Sequence, residues 1–464
     1  MSFGEYVEQL LFIESSAMTE STALLDRLAD LVDRAKRAGA DGADAIVAES
    51  RGLEVAFRMG ERESLERAES LDVGLRVFVG DRMASVATSD LSPRTLNRLA
   101  ERVVAMAKLA PPDPLSRLAR AEELATSHRE LDLVDPYEPG PEYLSELAKA
   151  AEAAALEIKD VENSEGGSAS WGKTSIALAT SNGFTGAYAR TSISMSATAI
   201  AKRDGAMERD YDWDSVTHFA DLRDPVIIGK SAGERAVRRL GARRVKSQAV
   251  PVVFEQRLAG GLVRGFSGAI NGAAIARGVS YLKDRMNQQV FGSNIQITDD
   301  PLLLRGMGSK PFDGEGLRTE PLQLIKDGIL TSWTLDLRSA AKLNLVSNGR
   351  ASRGIGSNPS PSSTNLNMQP GPLSPEALIR EIKSGLFITE LIGHGGDMAT
   401  GDYSRGASGY WIEDGELAYP VNELTIASNL KDMFLTVTPA NDLIQRSSVN
   451  APTLRIDGMT IAGQ

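Results

Sequence analysis

The sequence predicts an α+β protein of two domains, with N-terminal helices packed on a largely antiparallel sheet and a C-terminal domain rich in antiparallel strands and hairpins. Amphipathic helices alternate with short β-rich runs in the first half, while strand and turn signals dominate the second. Asn182-Gly183, Asp327-Gly328 and Asp414-Gly415 each separate two β-like runs, the strongest short hairpin signal a chain can carry. A chain of 464 residues with 42% hydrophobic content can bury a large core, and at roughly 150 residues per domain two domains fit.

Residues 1–17 hold a short apolar run, Val7 to Ile13, among Glu5, Glu8 and Glu14, with no basic region before it. That is not a signal-peptide pattern; Met18 is an alternative start, and residues 1–17 are expected to be a disordered extension. From Thr22 to Arg37, Leu24, Leu28, Leu31, Val32 and Ala35 recur at helical spacing, and Gly39 marks a stop. The runs "DAIVAES", "LEVAFRMG", "LDVGLRVFVGDR" and "MASVATS" then read as an antiparallel meander. Ser92 can cap a second helix with Pro93 at its first position, where the missing N–H costs nothing. An Ala-rich helix is expected from Pro141 to Lys159, a hairpin about Asn182-Gly183, and a helix from Val226 to Leu240. The crossing into the second domain falls near residue 244, giving an N-terminal domain of 18–243 and a C-terminal, mainly-β domain of 244–464. There, Leu262 to Ala276 reads as one closely packed small-residue helix, and residues 356–375, rich in Ser, Pro and Asn, as a long surface loop.

Composition narrows the function. A net charge of −11 argues against a nucleic-acid partner, and no run approaches the roughly 18 apolar residues that span a bilayer. The absence of cysteine removes disulfides, thiolate ligands and a cysteine nucleophile, which is compatible with a reducing cytoplasm. Only His128, His218 and His394 can supply imidazole, and neither H-E-x-x-H nor its longer variant is present. Glu390, His394 and Asp397 could form a mixed ligand or acid–base set, but Gly393, Gly395 and Gly396 around them fit a strand entering a turn better. Ser404 in "DYSRG" and Ser267 in "GFSGA" both miss the G-x-S-x-G elbow. In "GDYSRGASGYW", Asp402 and Arg405 can pair across a Gly-rich segment, and Tyr403, Arg405, Tyr410 and Trp411 are the side chains best suited to contact a peptide or partner.

Three long stretches, "ARGVSYLKDRMNQQVF" at 276–291, "PFDGEGLRTEPLQLIKDGILTSWTLDLRSAAKLN" at 311–344 and "TGDYSRGASGYWIEDGELAYPVNELTIASNLKDMF" at 400–434, strongly resemble the TldD/PmbA family, and its PmbA (TldE) branch in particular. The resemblance runs from about Met18 to the C-terminus. It implies a two-domain subunit that joins a TldD-like partner in a metallopeptidase acting on unfolded peptides. Microcin maturation, antitoxin degradation and an influence on DNA gyrase inhibitors are the family's roles. In the TldD-like partner, zinc is held by H-E-x-x-x-H and a downstream cysteine. Aligned through Ala276 to Gly278, those two His and the Glu fall at Val263, Gly268 and Arg264, so no metal ligand carries over. The resemblance therefore implies a regulatory or substrate-positioning subunit without a cofactor of its own, and zinc in the partner. Two other readings stay open: a self-sufficient hydrolase using Glu390, His394, Asp397 or Ser404, and a stand-alone peptide-binding homodimer.

Overall fold

A computed structural model describes residues 22–127 and 129–463. The expected extension at 1–17, Met18 and His128 lie outside the described residues. The first half is a single six-stranded antiparallel sheet with helices on one face. Helix α1 covers 22–37 and is followed by β1 (Gly42–Arg58), β2 (Glu61–Val79), β3 (Arg82–Thr88), α2 (Pro93–Leu109), α3 (Pro141–Leu156), β4 (Val161–Thr180), β5 (Thr185–Arg203), β6 (Ala206–Val216) and α4 (Pro225–Arg238). The strand order is β3-β2-β1-β4-β5-β6. Strand alternation sends Ala45, Val47 and Ala177 under α1 and α2, and Met195, Ala197 and Ala199 under α3 and α4. Ile46, Ile176 and Leu178 face the other way, where part of the second half covers them. Ser92 Oγ accepts from Thr95 N at 3.4 Å to cap α2, as its sequence predicts, whereas α3 stops at Leu156, short of Lys159. Helices α3 and α4 meet through Ala and Gly, and a Cβ on Gly229 would lie 2.0 Å from the Ala151 carbonyl oxygen.

Asp327-Gly328 and Asp414-Gly415 turn as expected, with positive φ at both residues. At Asn182-Gly183 only the glycine has positive φ, and the connection is longer: Gly183 N donates to Thr180 O, and Thr180 N to Phe184 O. Asp204-Gly205 and Met59-Gly60, which sequence reading passed over, make two-residue turns with both φ values positive. The charged stretch 61–70 also belongs to β2. It is mostly exposed, and its register against β1, not its side chains, makes it a strand.

The second half wraps a closed barrel. Its elements are β7 (Gln248–Phe254), α5 (Gln256–Ala269), α6 (Gly272–Arg277), β8 (Ile297–Asp299), β9 (Leu322–Lys326), β10 (Ile329–Leu330), α7 (Leu337–Lys342), β11 (Ala351–Ser352), β12 (Ser360–Pro361), β13 (Leu366–Met368) and α8 (Pro375–Arg380). Then come β14 (Ser384–Ile392), β15 (Asp402–Glu413), β16 (Glu416–Asn429), α9 (Leu430–Thr436), β17 (Thr438–Pro439), β18 (Val449–Asn450) and β19 (Leu454–Ala462). Strands β16-β15-β14-β7-β19 form the wall, and a further β16–β19 pairing closes it. Closure removes the edges. A smaller sheet, β10-β9-β8-β13-β18, packs beside it, and the β7–β14 and β13–β18 pairs are parallel among otherwise antiparallel neighbours. Phe254, Leu386, Ile388, Trp411 and Ile456 fill the barrel with α5, whose Phe266 meets Phe291 edge-on at 5.1 Å.

Two expectations are corrected here. The 262–276 helix is two helices, α5 and α6, broken at Ile270-Asn271, because the Asn271 side chain caps α6 by accepting from Ala273 N at 3.0 Å. The 356–375 loop is not all surface: Thr364 to Met368 are buried, with β13 paired in the smaller sheet.

The sheet is joined to the second half by buried charge. Asp44 on β1 accepts from Arg76 Nε at 3.0 Å and also pairs with Arg353. Burial alone would raise its pKa, but the two guanidiniums hold it below the ordinary carboxylate value. A Cβ on Gly74 would sit 1.8 Å from Ile355 O, so backbone meets backbone there. Glu315 lies in the same seam, and burial with the Asp313 charge pushes it up to about 8.

Asp44→Ala leaves two buried guanidiniums without their acid and is expected to destabilise the protein by roughly 3–5 kcal/mol in urea unfolding; a loss under about 1 kcal/mol would show that the pair is not holding the seam. A carboxyl raised in the folded state contributes stability that is complete below its ordinary value of 4.5 and lost as pH rises to about 8. Glu315→Gln should therefore match the parent below about pH 5 and gain in Tm over it up to about pH 8. A pH-independent difference contradicts this.

Candidate functional site

Arg257 fixes one end of α5 to the first half. Its guanidinium is 2% exposed, lies 3.2 Å from Asp210 of β6 and 3.0 Å from Glu255, and stacks over the Tyr211 ring at 4.9 Å. Burial opposes its charge, but Glu255 and Asp210 overcome that and raise its pKa. About two turns further along α5, Arg264 and Gly265 line a cavity of about 270 Å³ at the end of the barrel. Across it stand Tyr403 and Arg405 of β15, which share a face because they are two residues apart on a strand. Arg405 Nη2 donates to Leu391 O at 3.3 Å, while its Nε is buried without a partner. Tyr403 is buried; desolvation outweighs the neighbouring Arg405 and pushes its phenol up to about 12.

The three positions aligned to the zinc motif have distinct surroundings. Val263 is in the core, Arg264 is exposed at the cavity, and Gly268 leaves room for Met398, whose methyl would be 2.7 Å from any Cβ there. The cavity lining offers one carboxylate, Asp397, and its Oδ1 accepts from Ala399 N and Thr400 N at 2.7 and 2.9 Å. Two guanidiniums and one turn-capping carboxylate are a poor donor set for a divalent cation. Among the described residues, no three His, Asp or Glu side chains are grouped so as to hold a metal ion.

The other predicted residues separate. Asp402 does not pair with Arg405; three residues apart on a strand, they face opposite sides, and Asp402 instead accepts from Thr400 Oγ1 at 2.8 Å and Asn429 Nδ2 at 3.0 Å. Trp411 is buried in the barrel core. Tyr410 points outward into a cleft of about 840 Å³ between α4 and the barrel wall, with Tyr419, Phe387 and Arg235. Burial pushes its phenol up to about 12. The acid–base set does not assemble either. Glu390 hydrogen-bonds Arg239, His394 and Ser404 are exposed, and Asp397 caps its turn. Ser267 Oγ is 2.9 Å from Ser363 Oγ and has no imidazole partner.

Sequence reading passed over Arg239, at the C-terminal end of α4. It gathers Glu390, Glu208 at 3.4 Å and Asp210 at 3.7 Å while 8% exposed. These partners come from two strands, β6 and β14, the latter 151 residues away, so no local pattern marks them. Arg239→Ala leaves three acids facing one another and is expected to cost about 3–5 kcal/mol near neutral pH and less near pH 5, since burial already raises Glu208. Urea unfolding at both pH values tests this, and an equal loss at both would contradict it.

Comparison with known proteins covers nearly the whole chain. Residues 43–107, 134–240 and 247–463 match the models described as PmbA/TldA metallopeptidase domain 1, central domain and C-terminal domain. The chain is 39% identical over 426 residues to a protein named Metalloprotease PmbA from Escherichia coli O157:H7, covering 91% of this chain and 93% of that one. It is 33% identical to the Metalloprotease PmbA homolog of Haemophilus influenzae, over 93% and 94%. A crystal structure of a candidate modulator of DNA gyrase from Bacteroides thetaiotaomicron superposes with a TM-score of 0.87 at 25% identity, over 95% of this chain and 98% of that one. TldE from Thermococcus kodakarensis gives 0.84 at 20% identity, over 94% and 100%, and so shares the fold.

Proposed function

Since this chain belongs to the PmbA/TldD metallopeptidase family, we propose that it is the PmbA (TldE) type of subunit in a cytoplasmic two-component metallopeptidase acting on unfolded peptides. In this reading the zinc and the bond-breaking residues belong to a TldD-like partner, and this chain positions the substrate. The observation that carries it is the cavity beside α5. Where the partner's motif would place two imidazoles and a carboxylate, this chain has Val263, Arg264 and Gly268, and Arg264 faces Arg405 across the space. Two guanidiniums repel a divalent cation but suit a peptide: each is a planar donor for carbonyl or carboxylate oxygens. Tyr403 and Arg405 would contact peptide or partner at this cavity, and Tyr410 in the outer cleft. Trp411 serves packing.

Antitoxin degradation and microcin maturation would be instances of this one activity, since both act on flexible segments. The purified chain is expected to bind no stoichiometric zinc and to leave an unfolded peptide intact, with cleavage appearing when a TldD-like partner is added. Metal analysis and peptide mass mapping decide it; zinc together with amide hydrolysis from this chain alone would refute the proposal. Arg405→Ala in the mixture should lower kcat/KM by about tenfold, or roughly 1.4 kcal/mol, without dissociating the complex.

A further inference from the structure

A second cavity, also about 270 Å³, lies in the seam between the sheet and the segments 308–314 and 351–364. Its wall carries Tyr188 and Arg190 from β5, Lys310, Asp313, Arg353 and Thr364. Lys310 Nζ donates to Ala351 O at 2.8 Å, which leaves two of its three protons. Arg190 Nη2 donates to Gly306 O at 3.2 Å and to Met307 O. Neither cation forms an ion pair with any described residue. The acid that attracts Lys310 most, Asp313, already accepts from the backbone N–H groups of Glu315, Leu317 and Ala351 at 2.9, 2.9 and 3.0 Å. Lys310 and Arg190 line the same cavity, and the Arg190 charge is among those that lower the Lys310 pKa.

Two further groups point the same way. Thr364 Oγ1 is buried without a hydrogen-bond partner, and so are Nε and Nη2 of Arg353, whose Nη1 is held by Asp44. Native structures rarely leave such groups unmatched, because an unpaired buried donor has given up its hydrogen bond to water without replacement, and a buried charge has given up more. Burial lowers the pKa of both Lys310 and Arg190, as uncompensated cations require. A mobile anion removes the mismatch where a fixed carboxylate does not.

We infer that this seam cavity binds a compact oxyanion, a phosphate or a carboxylate, between Lys310 and Arg190 with the Thr364 hydroxyl. The inference does not depend on the peptidase reading, since it concerns a different cavity in the single chain. Binding would brace the sheet against the second half, because β5 supplies one cation and residue 310 the other.

The test uses the full chain. Inorganic phosphate, titrated against chloride at equal ionic strength, should raise Tm with the logarithm of its concentration above Kd, by roughly 2–4 °C at a hundredfold excess over Kd. Lys310→Met and Arg190→Met should each weaken that binding at least tenfold. Amine acylation read by mass spectrometry provides a localising measurement that needs no variant: phosphate should protect Lys310 and leave surface lysines unchanged. A short peptide with a free C-terminus, set beside its amide, separates the sources, and binding of the free acid alone assigns the cavity to a peptide carboxylate. No saturable binding of either anion beyond chloride overturns the inference. So does unchanged Lys310 acylation at saturating anion.

Discussion

Charge buried at the seam between sheet and barrel is what the remaining structure rests on. Asp210 with Arg257, Asp44 with Arg76 and Arg353, and Arg239 with its three acids each span the two halves of the chain. Such clusters are poor sources of net stability, because desolvating both partners consumes most of their attraction. Their value is in orientation. A guanidinium sealed against one carboxylate cannot slide to another without leaving a bare charge, so the halves have one relative placement and not several.

That placement reaches the candidate site through α5. Arg257 ties the start of the helix to β6, Phe266 packs its far end into the barrel, and the intervening turn presents Arg264 toward Tyr403 and Arg405. A helix held at both ends gives the cavity a rigid wall. Small residues matter along it for the same reason: Gly268 makes space for Met398, which lines the pocket where a larger side chain would collide. The fold thus keeps the helix of a metallopeptidase family while surrounding it with groups suited to oxygen acceptors.

Local signals were legible wherever the physics is local. The Asp327-Gly328 and Asp414-Gly415 hairpins, the Ser92 cap, the apolar stripes of α1 and α2 and the resemblance carried by residues 400–434 could all be read directly. Errors came where tertiary contacts outweighed propensity. Residues 61–70 carried no strand signal but pair with β1; Leu262 to Ala276 read as one helix but break at Asn271; Thr364 to Met368 read as surface but lie buried. The five residues singled out in "GDYSRGASGYW" shared a sequence neighbourhood and not a site, because strand alternation sends Tyr410 outward while Tyr403 and Arg405 face the cavity and Trp411 the core.

By itself the sequence determined the α+β class, most hairpins and helices, the family, and the absence of cysteine and of a zinc motif, since each follows from residue identity or short-range spacing. Only the tertiary structure decided the barrel's closure, the pairing of Arg257, Arg239 and Asp44, and the meeting of Lys310 with Arg190. The reason is separation along the chain. Arg239 and Glu390 stand 151 residues apart, and Asp44 and Arg353 stand 309 apart, so their attraction takes effect only after hydrophobic burial has brought the two halves together.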